Sequence, residues 1–238
     1  MFQYAAAGKD FCCILLDMDV EQRKELIERH RASLAMFGYS PKALYWTSRG
    51  LQKVRFRVIA GIGIAAGDSL LDVGCGFADL QSWLLGHGLQ VDYTGIDLSP
   101  EIMQGACERH PDAKLLCGEL FDFDFAIRSF DWVVLSGTLN WQLNDAGDYA
   151  CRVIERMFTL CRYGVAFNML NARHREMQAL HELVAFEPDE VMAWCRAIAP
   201  DCRVRTDYLD NDFTIYMHRP ADSFPAGHAA PVTAATFQ

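Results

Sequence analysis

Short apolar runs alternate with amphipathic stretches through the middle of the chain, and this alternation predicts a parallel β-sheet with crossover helices. The apolar runs are Leu70 to Val73, Val91 to Ile96, Ala113 to Cys117, Trp132 to Leu135 and Tyr163 to Met169. The helical patterns between them cover Ala78 to Leu85, Pro100 to Arg109 and Tyr149 to Cys161. The pattern therefore predicts an α/β fold with a doubly covered sheet.

Further helical patterns flank this central region on both sides. They are Glu21 to Phe37 and Ser48 to Gly61 before it, and His174 to Val184 and Pro188 to Ile198 after it. Two final strand-like segments, Cys202 to Tyr208 and Asp212 to His218, are close enough in sequence to pair antiparallel at a sheet edge. We therefore expect an N-terminal helical cover over 1–66, a main domain over 67–219 and a flexible tail over 220–238.

Composition narrows the class of protein and of partner. The 238 residues carry a formal net charge of -9 with 51% hydrophobic residues, which is typical of a globular chain. An acidic chain has no basic surplus for phosphates, so we expect no nucleic acid partner and no membrane partner. The 9 cysteines are an odd number without paired metal-ligand spacing, so we expect a reducing cytoplasm and no metal site. The oligomeric state stays open.

A glycine-rich turn carries the strongest chemical signal. It joins the apolar run at Leu70 to the helical pattern that starts near Ala78, through the sequence Asp-Val-Gly-Cys-Gly. Gly74 and Gly76 allow a sharp turn, and they let a ligand approach the backbone around Cys75 without meeting a Cβ atom. The turn therefore predicts a nucleotide or nucleoside site at this end of the sheet.

Carboxylates follow three of the predicted strands and decide which nucleotide fits. Asp72 stands at the end of the first strand, where a carboxylate repels phosphate and attracts an ammonium group. Asp97 ends the second strand and can accept hydrogen bonds from both ribose hydroxyls. Glu119 follows the third strand and can accept one from an adenine amino group. With the neighbouring Leu98 and Leu120, these residues predict adenosine carrying a cationic amino-acid tail.

These motifs resemble those of class I S-adenosylmethionine-dependent methyltransferases. The segments that resemble the first motif, the ribose ligand, the adenine position and the fourth motif are Asp72 to Gly76, Asp97, Gly118-Glu119 and Phe130 to Ser136. Ala78 departs from a frequent third glycine, and Glu119 from the usual aspartate. The resemblance implies S-adenosylmethionine as cofactor and a Rossmann-like, seven-stranded, mostly parallel sheet with an antiparallel last strand. A finer resemblance, to a bacterial subgroup, rests on Trp46, Gln52, Arg55 and Phe56.

Residues near the end of the fourth strand are candidates for the reaction itself. Ser136 is assigned to the cofactor, while Thr138, Asn140 and Trp141 follow it at the edge where ligands bind. Asn140 would orient an acceptor or cap the loop, and Trp141 would stack on the acceptor or pack as core or lid. Arg55 would bind the cofactor's carboxylate in a bidentate contact, or form a surface ion pair.

The expected activity is methyl transfer to a small molecule by in-line displacement, mainly through positioning and desolvation. The segment from Ser136 to Trp141 lacks the Asn-Pro-Pro-Tyr motif of enzymes that methylate amino groups in nucleic acids or protein amides. Two alternatives stay open: a cofactor-binding protein without catalysis, such as a sensor, and a protein or RNA methyltransferase. A nicotinamide-dependent oxidoreductase is disfavoured by Asp72, because its ligand carries a pyrophosphate.

Overall fold

The computed structural model describes residues 18–174 and 182–220. Its helices are α1 (Val20–Phe37), α2 (Arg49–Ala60), α3 (Asp79–Gly86), α4 (Pro100–Arg109), α5 (Asp148–Leu160) and α6 (Pro188–Ile198). Its strands are β1 (Ser69–Val73), β2 (Asp92–Asp97), β3 (Lys114–Cys117), β4 (Phe130–Ser136), β5 (Cys161–Leu170), β6 (Asp201–Arg205) and β7 (Asp212–His218). Single 3₁₀ turns cover Pro41–Leu44, Leu120–Asp122 and Thr138–Asn140.

The strands form one sheet in the order β3-β2-β1-β4-β5-β7-β6. β1 to β5 are parallel, while β7 runs antiparallel to both of its neighbours, β5 and β6. This confirms the predicted α/β fold with seven strands and an antiparallel last strand. Along the chain, the sheet extends from β1 through β2 to β3 on one side, and the next strand, β4, pairs with the other side of β1. A crevice therefore opens at the carboxyl ends of β1 and β4, where ligands of such sheets bind.

Both faces of the sheet are buried, which explains why its strands are continuous apolar runs rather than alternating ones. Successive side chains point to opposite faces, so Leu70 and Leu71 enter two different core clusters. One cluster receives α5 and α6, for example through Ile154. The other receives α2 through Phe56 and Ile59. Of the two helices of the expected cover, α2 is thus part of the sheet's core, whereas α1 lies outside it.

The ends of two predicted segments differ from the structure. β6 ends at Arg205 instead of Tyr208, because its pairing with β7 stops there and the Tyr208 hydroxyl instead contacts the Thr214 hydroxyl at 2.7 Å. The predicted helix from His174 to Val184 falls largely on residues 175–181, which lie outside the described residues. Its final part is not helical, since Leu183 forms a β-bridge with Trp141. The predicted tail also lies outside, from residue 221 onward.

Within residues 18–174 and 182–220, the structure contains no helix with the length and hydropathy of a membrane span.

Close backbone contact between β5 and β7 gives a test of the packing. A Cβ atom on Gly164 would lie 2.6 Å from the Met217 carbonyl oxygen and 3.0 Å from the Trp132 ring. We expect Gly164→Ala to lower the free energy of unfolding by about 2–3 kcal/mol, because a buried backbone cannot yield without strain. Gly86→Ala is the matched control, since a Cβ there meets nothing within 4 Å. Urea unfolding of both variants measures the difference, and equal midpoints would contradict the sheet packing.

Candidate functional site

Two cavities of about 490 Å³ and about 230 Å³ lie at the carboxyl edge of the parallel strands. Both are lined by the same five residues at their junction: His30, Gly74, Asp97, Thr138 and Trp141. The larger cavity continues along the ends of β2 and β3, where Leu98, Glu119 and Leu120 line it. The smaller continues toward the ends of β4 and β5. The two cavities are therefore adjoining halves of one crevice, at the predicted place.

The glycine turn after β1 requires glycine for two separate reasons. Gly74 and Gly76 have φ of 70° and 56°, a region that side chains disfavour. A Cβ on Gly74 would also lie 2.0 Å from Oγ1 of Thr138. Cys75 contributes its backbone N–H, bonded to the Ile96 carbonyl at 2.9 Å, while burial raises the pKa of its thiol. The turn leaves its backbone open to the crevice.

Ala78 lies directly before α3, at the position where a third glycine is frequent. Ala78 has φ of 57°, the left-handed conformation that glycine adopts without a steric penalty. The alanine thus keeps the turn's path at the cost of local strain.

Asp97 is held in a fixed orientation at the end of β2. Its Oδ2 accepts a hydrogen bond from the Gly76 N–H at 3.0 Å, and its Oδ1 accepts one from the Ser99 N–H at 3.0 Å. An ionised carboxylate has about four lone-pair positions, so about two remain for a ligand's hydroxyls. The predicted contact with ribose stays a prediction, and the geometry is compatible with it.

Asp72 is a buried carboxylate without a cation. Its Oδ2 accepts a hydrogen bond from the Tyr93 hydroxyl at 2.6 Å, and none of the described residues forms an ion pair with it. Burial, the largest effect, raises the pKa of Asp72 to about 7; the Tyr93 bond lowers it and the nearby charge of Asp97 raises it. A cationic ligand group would stabilise the ionised form of this carboxylate.

Glu119 lines the larger cavity, but its carboxylate already has partners within the protein. Its Oε1 accepts a hydrogen bond from the Met18 N–H at 3.0 Å, and its Oε2 accepts one from the Tyr149 hydroxyl at 2.7 Å. The guanidinium of Arg23 lies 3.7 Å away. The carboxylate therefore joins the segment before α1 to the sheet and to α5, rather than standing free. An adenine amino group would have to share it with these partners, and the predicted adenine contact stays a prediction.

The alternative that Arg55 forms a surface ion pair is wrong, because Arg55 is buried. Its guanidinium pairs with the carboxylate of Asp212 and stacks over the Trp46 ring, with 4.8 Å between the guanidinium carbon and the ring centroid. Asn168 donates from Nδ2 to the other oxygen of Asp212 at 3.0 Å. Burial raises the pKa of Asp212 to about 6, although Arg55 and Asn168 oppose the rise. Arg55 lines the smaller cavity with its charge already paired.

Two buried oxygens beside this pair have no hydrogen-bond partner in the part of the chain that the structure describes. They are Ser136 Oγ and Asn168 Oδ1, which belong to residues in direct register on β4 and β5. Both residues line the smaller cavity. A buried polar atom without a partner costs about 1–3 kcal/mol, so the pair marks a place where a ligand's N–H or O–H groups fit.

Asn140 lines the smaller cavity, and its predicted contact with an acceptor stays a prediction, although both ends of its side chain already have partners. Its side-chain oxygen accepts a hydrogen bond from the Leu170 N–H at 2.9 Å, and its Nδ2 donates to the Gly137 carbonyl at 3.2 Å. Both ends of the amide thus brace the loop after β4, as in the capping alternative. Thr138 does line the crevice, with its hydroxyl 3.4 Å from the Val73 carbonyl oxygen.

Trp141 forms one wall of the crevice where the two cavities join. Its ring makes edge contacts with Tyr45 at 5.0 Å and with His30 at 5.7 Å between ring centroids. The guanidinium of Arg29 lies 5.7 Å from the Trp141 ring centroid. The indole therefore joins the α1 side to the sheet side, which agrees with the lid alternative.

Sequence reasoning did not assign Asp212, Tyr149 or His30 to the site. For Asp212 a signal existed, because an antiparallel strand begins at the edge where its parallel neighbours end. Asp212 starts β7 opposite Leu170, the last residue of β5. For Tyr149 and His30 the sequence gives a helical face only, and their contacts depend on tertiary packing. The described residues include no cluster of three or more side chains suited to a metal ion.

Comparisons with known proteins agree with this geometry. Residues 70–164 match a family model described as a methyltransferase domain. A protein from Mycobacterium tuberculosis named as a methyltransferase is 29% identical over 159 residues, which are 63% of this chain and 93% of that protein. The residues that match the family model include Asp72, Asp97 and Glu119.

Solved structures share the fold at low sequence identity. A SAM-dependent methyltransferase from Archaeoglobus fulgidus has a TM-score of 0.59 at 12% identity, covering 72% of this chain and 95% of its own. The plantazolicin methyltransferase BpumL, in complex with a desmethyl plantazolicin analogue and S-adenosylhomocysteine, has a TM-score of 0.60 at 14% identity, covering 84% of this chain and 98% of its own. These likenesses show that the fold is shared.

The charge of Asp72 gives a test of the site that needs no substrate. Because its pKa is raised to about 7, the carboxyl group of Asp72 in the folded protein stays protonated up to about that pH. In the unfolded chain the same group ionises near pH 3.8. Stability is therefore lost as pH rises through this window, and Asp72→Asn should avoid that loss. We expect the variant to exceed the wild type by about 2–4 kcal/mol in free energy of unfolding at pH 8, and by much less at pH 4.

The same variant should bind S-adenosylhomocysteine at least 10-fold more weakly, because an amide attracts an ammonium group less than a carboxylate does. Urea unfolding at both pH values and calorimetric titration measure the two effects. A variant that is less stable at pH 8 and binds normally would contradict the assignment.

Proposed function

Because the chain is a class I S-adenosylmethionine-dependent methyltransferase, we propose that it methylates a small molecule held in the smaller cavity. When bound, the cofactor supplies an activated methyl group on a sulfonium. The protein must then align the acceptor, exclude water and, for some acceptors, receive a proton.

The residues around the glycine turn fit this cofactor. Asp72 lines the smaller cavity and offers an uncompensated negative charge to the ammonium group, so the cofactor's amino-acid tail extends from the junction into part of that cavity. Asp97 offers free lone pairs to the ribose hydroxyls. Gly74 leaves the backbone uncovered between them. Leu98 and Leu120 line the larger cavity and give the adenine apolar contacts. A pyrophosphate would meet two carboxylates in the same place, so a dinucleotide fits poorly.

The floor of the smaller cavity carries the argument for a small polar acceptor. It combines the Arg55–Asp212 pair with the unpartnered oxygens of Ser136 and Asn168. Tyr45 and Trp46 also line this cavity, from the turn before α2. Buried polar groups of this kind favour a compact ligand that brings its own N–H or O–H donors.

The volume of the smaller cavity and the net charge of the chain also favour a small-molecule acceptor. About 230 Å³ admits a small molecule or one side chain, not a folded surface. The net charge of -9 opposes binding to a nucleic acid backbone. A macromolecular acceptor would have to insert a single residue between Trp46 and Trp141.

A fractionated lysate tests this proposal. The wild type and Asp72→Asn are each incubated with S-adenosylmethionine labelled in its methyl group and with either the low-molecular-weight filtrate or the macromolecular retentate. We expect label in a compound of the filtrate with the wild type and at least 10-fold less with the variant. Label confined to protein or RNA of the retentate would contradict a small-molecule acceptor. Cofactor binding without label in either fraction would favour the non-catalytic alternative.

The unpartnered oxygen of Asn168 separates acceptor binding from cofactor binding. We expect Asn168→Ala to raise the KM for the active filtrate compound at least 10-fold while the Kd for S-adenosylhomocysteine changes less than 3-fold. Asn171→Ala is the matched control, because Asn171 lies beyond β5 and lines neither cavity. A loss of S-adenosylhomocysteine affinity instead would assign the Asn168 oxygen to the cofactor's ammonium group.

A further inference from the structure

His30 lies where the two halves of the crevice meet. It projects from α1 and lines both cavities together with Gly74, Asp97 and Trp141. If the adenosine occupies the larger cavity and the acceptor the smaller, the methyl group passes between them at this junction. His30 is therefore the described titratable side chain on the α1 side that stands next to the reacting atoms.

The imidazole of His30 is held by packing. Its Nδ1 is buried without a hydrogen-bond partner among the described residues, and its ring makes edge contacts with Tyr45 at 5.9 Å and Trp141 at 5.7 Å between centroids. Nε2 is therefore the nitrogen left to exchange a proton. Burial lowers the pKa of His30, and the opposing charge of Asp97 does not cancel that effect. The ring is thus neutral at pH 7 and able to accept a proton.

Other groups near the junction have their chemistry engaged. The Tyr45 hydroxyl donates to the Arg29 carbonyl at 3.1 Å. Asp212 is paired with Arg55, and Asp97 accepts two backbone hydrogen bonds. Asp72 lines the smaller cavity and bonds to Tyr93, and its charge is assigned to the cofactor's ammonium group. Among these residues, His30 alone combines a neutral basic atom with a position shared by both cavities.

We propose that His30 is the proton acceptor of the reaction and that the acceptor molecule is an N–H or O–H nucleophile. This inference rests on the proposed function. The nucleophile's lone pair forms a bond to the methyl carbon, and the carbon–sulfur bond breaks with its electron pair remaining on sulfur. The proton of the N–H or O–H group goes to an imidazole nitrogen and then to solvent. An acceptor without such a proton would not need His30.

The decisive probe is an analogue of S-adenosylmethionine in which an amine-bearing carbon replaces the methylsulfonium group. Its ammonium group lies where the methyl and the nucleophile meet, so a neutral imidazole there accepts a hydrogen bond from it. We expect His30→Phe to weaken binding of this analogue at least 10-fold, while S-adenosylhomocysteine binding changes less than 3-fold. His30→Gln should restore part of the loss, because its amide oxygen is also an acceptor.

The matched control is His110→Phe, a histidine that lines neither cavity, and it should leave both affinities unchanged. Equal losses for both ligands in His30→Phe would mean that His30 only supports the wall. No loss for either ligand would place it away from the reacting atoms. Either result overturns the proposal, whereas failure of the wild type to bind S-adenosylhomocysteine would instead overturn the proposed function.

Ring-proton NMR of His30 supplies a second readout that needs no turnover. The amine analogue should lower the pKa of the His30 ring relative to the complex with neutral S-adenosylhomocysteine, since two cations repel at short distance. The titratable groups that the structure places near the ring are Asp97 from β2 and Tyr45 from the turn before α2. They are the same in both complexes, so the difference reports the ligand's amine. An identical ring pKa in the two complexes would contradict the proposal.

Discussion

Two buried carboxylates, neither of which forms an ion pair with a described residue, determine what this site can hold. The parallel order of β2, β1 and β4 brings Asp72 and Asp97 to the same edge, where Asp97 accepts a hydrogen bond from the glycine turn that follows Asp72. Asp97 also accepts one from the Ser99 N–H, whereas the partner of Asp72 among the described residues is the Tyr93 hydroxyl. The free protein therefore carries an electrostatic cost that a cationic nucleoside relieves and a phosphorylated one increases.

The N-terminal helices serve this site in two different ways. α2 is buried in the core and fixes Arg55 against Asp212, so the floor of the smaller cavity is rigid. α1 is held at the rim by polar contacts, such as Arg31 with Glu101 at 2.7 Å and Gln22 with the Leu143 carbonyl at 2.6 Å. It also buries Leu26 and packs Leu34 against a small apolar cluster. α1 therefore covers the crevice from outside the sheet's core.

Much of the fold could be predicted because its signals are local. Ser99 caps α4 and Pro100 occupies its first turn, so the sequence bounds of that helix agree with the structure. The positions of Asp72 and Asp97 follow from strand ends and glycine spacing. The hydrogen-bond partners of Glu119 and Asn140 could not be predicted from the sequence, because tertiary packing determines them. Met18, for example, is 101 residues from Glu119 in sequence. Burial of Arg55 could not be read from the sequence, because an arginine on an amphipathic helix is equally compatible with a surface ion pair.

The central claim is that the site's negative charge is matched to a cation, and proton release on binding tests it most directly. Calorimetric titration of S-adenosylhomocysteine at pH 7, in buffers of different ionisation enthalpy, counts the protons exchanged. With the pKa of Asp72 raised to about 7 in the free protein, binding of an ammonium group should release roughly half a proton, and the Asp72→Asn variant should release none. Binding of the wild type with no proton release would contradict the account.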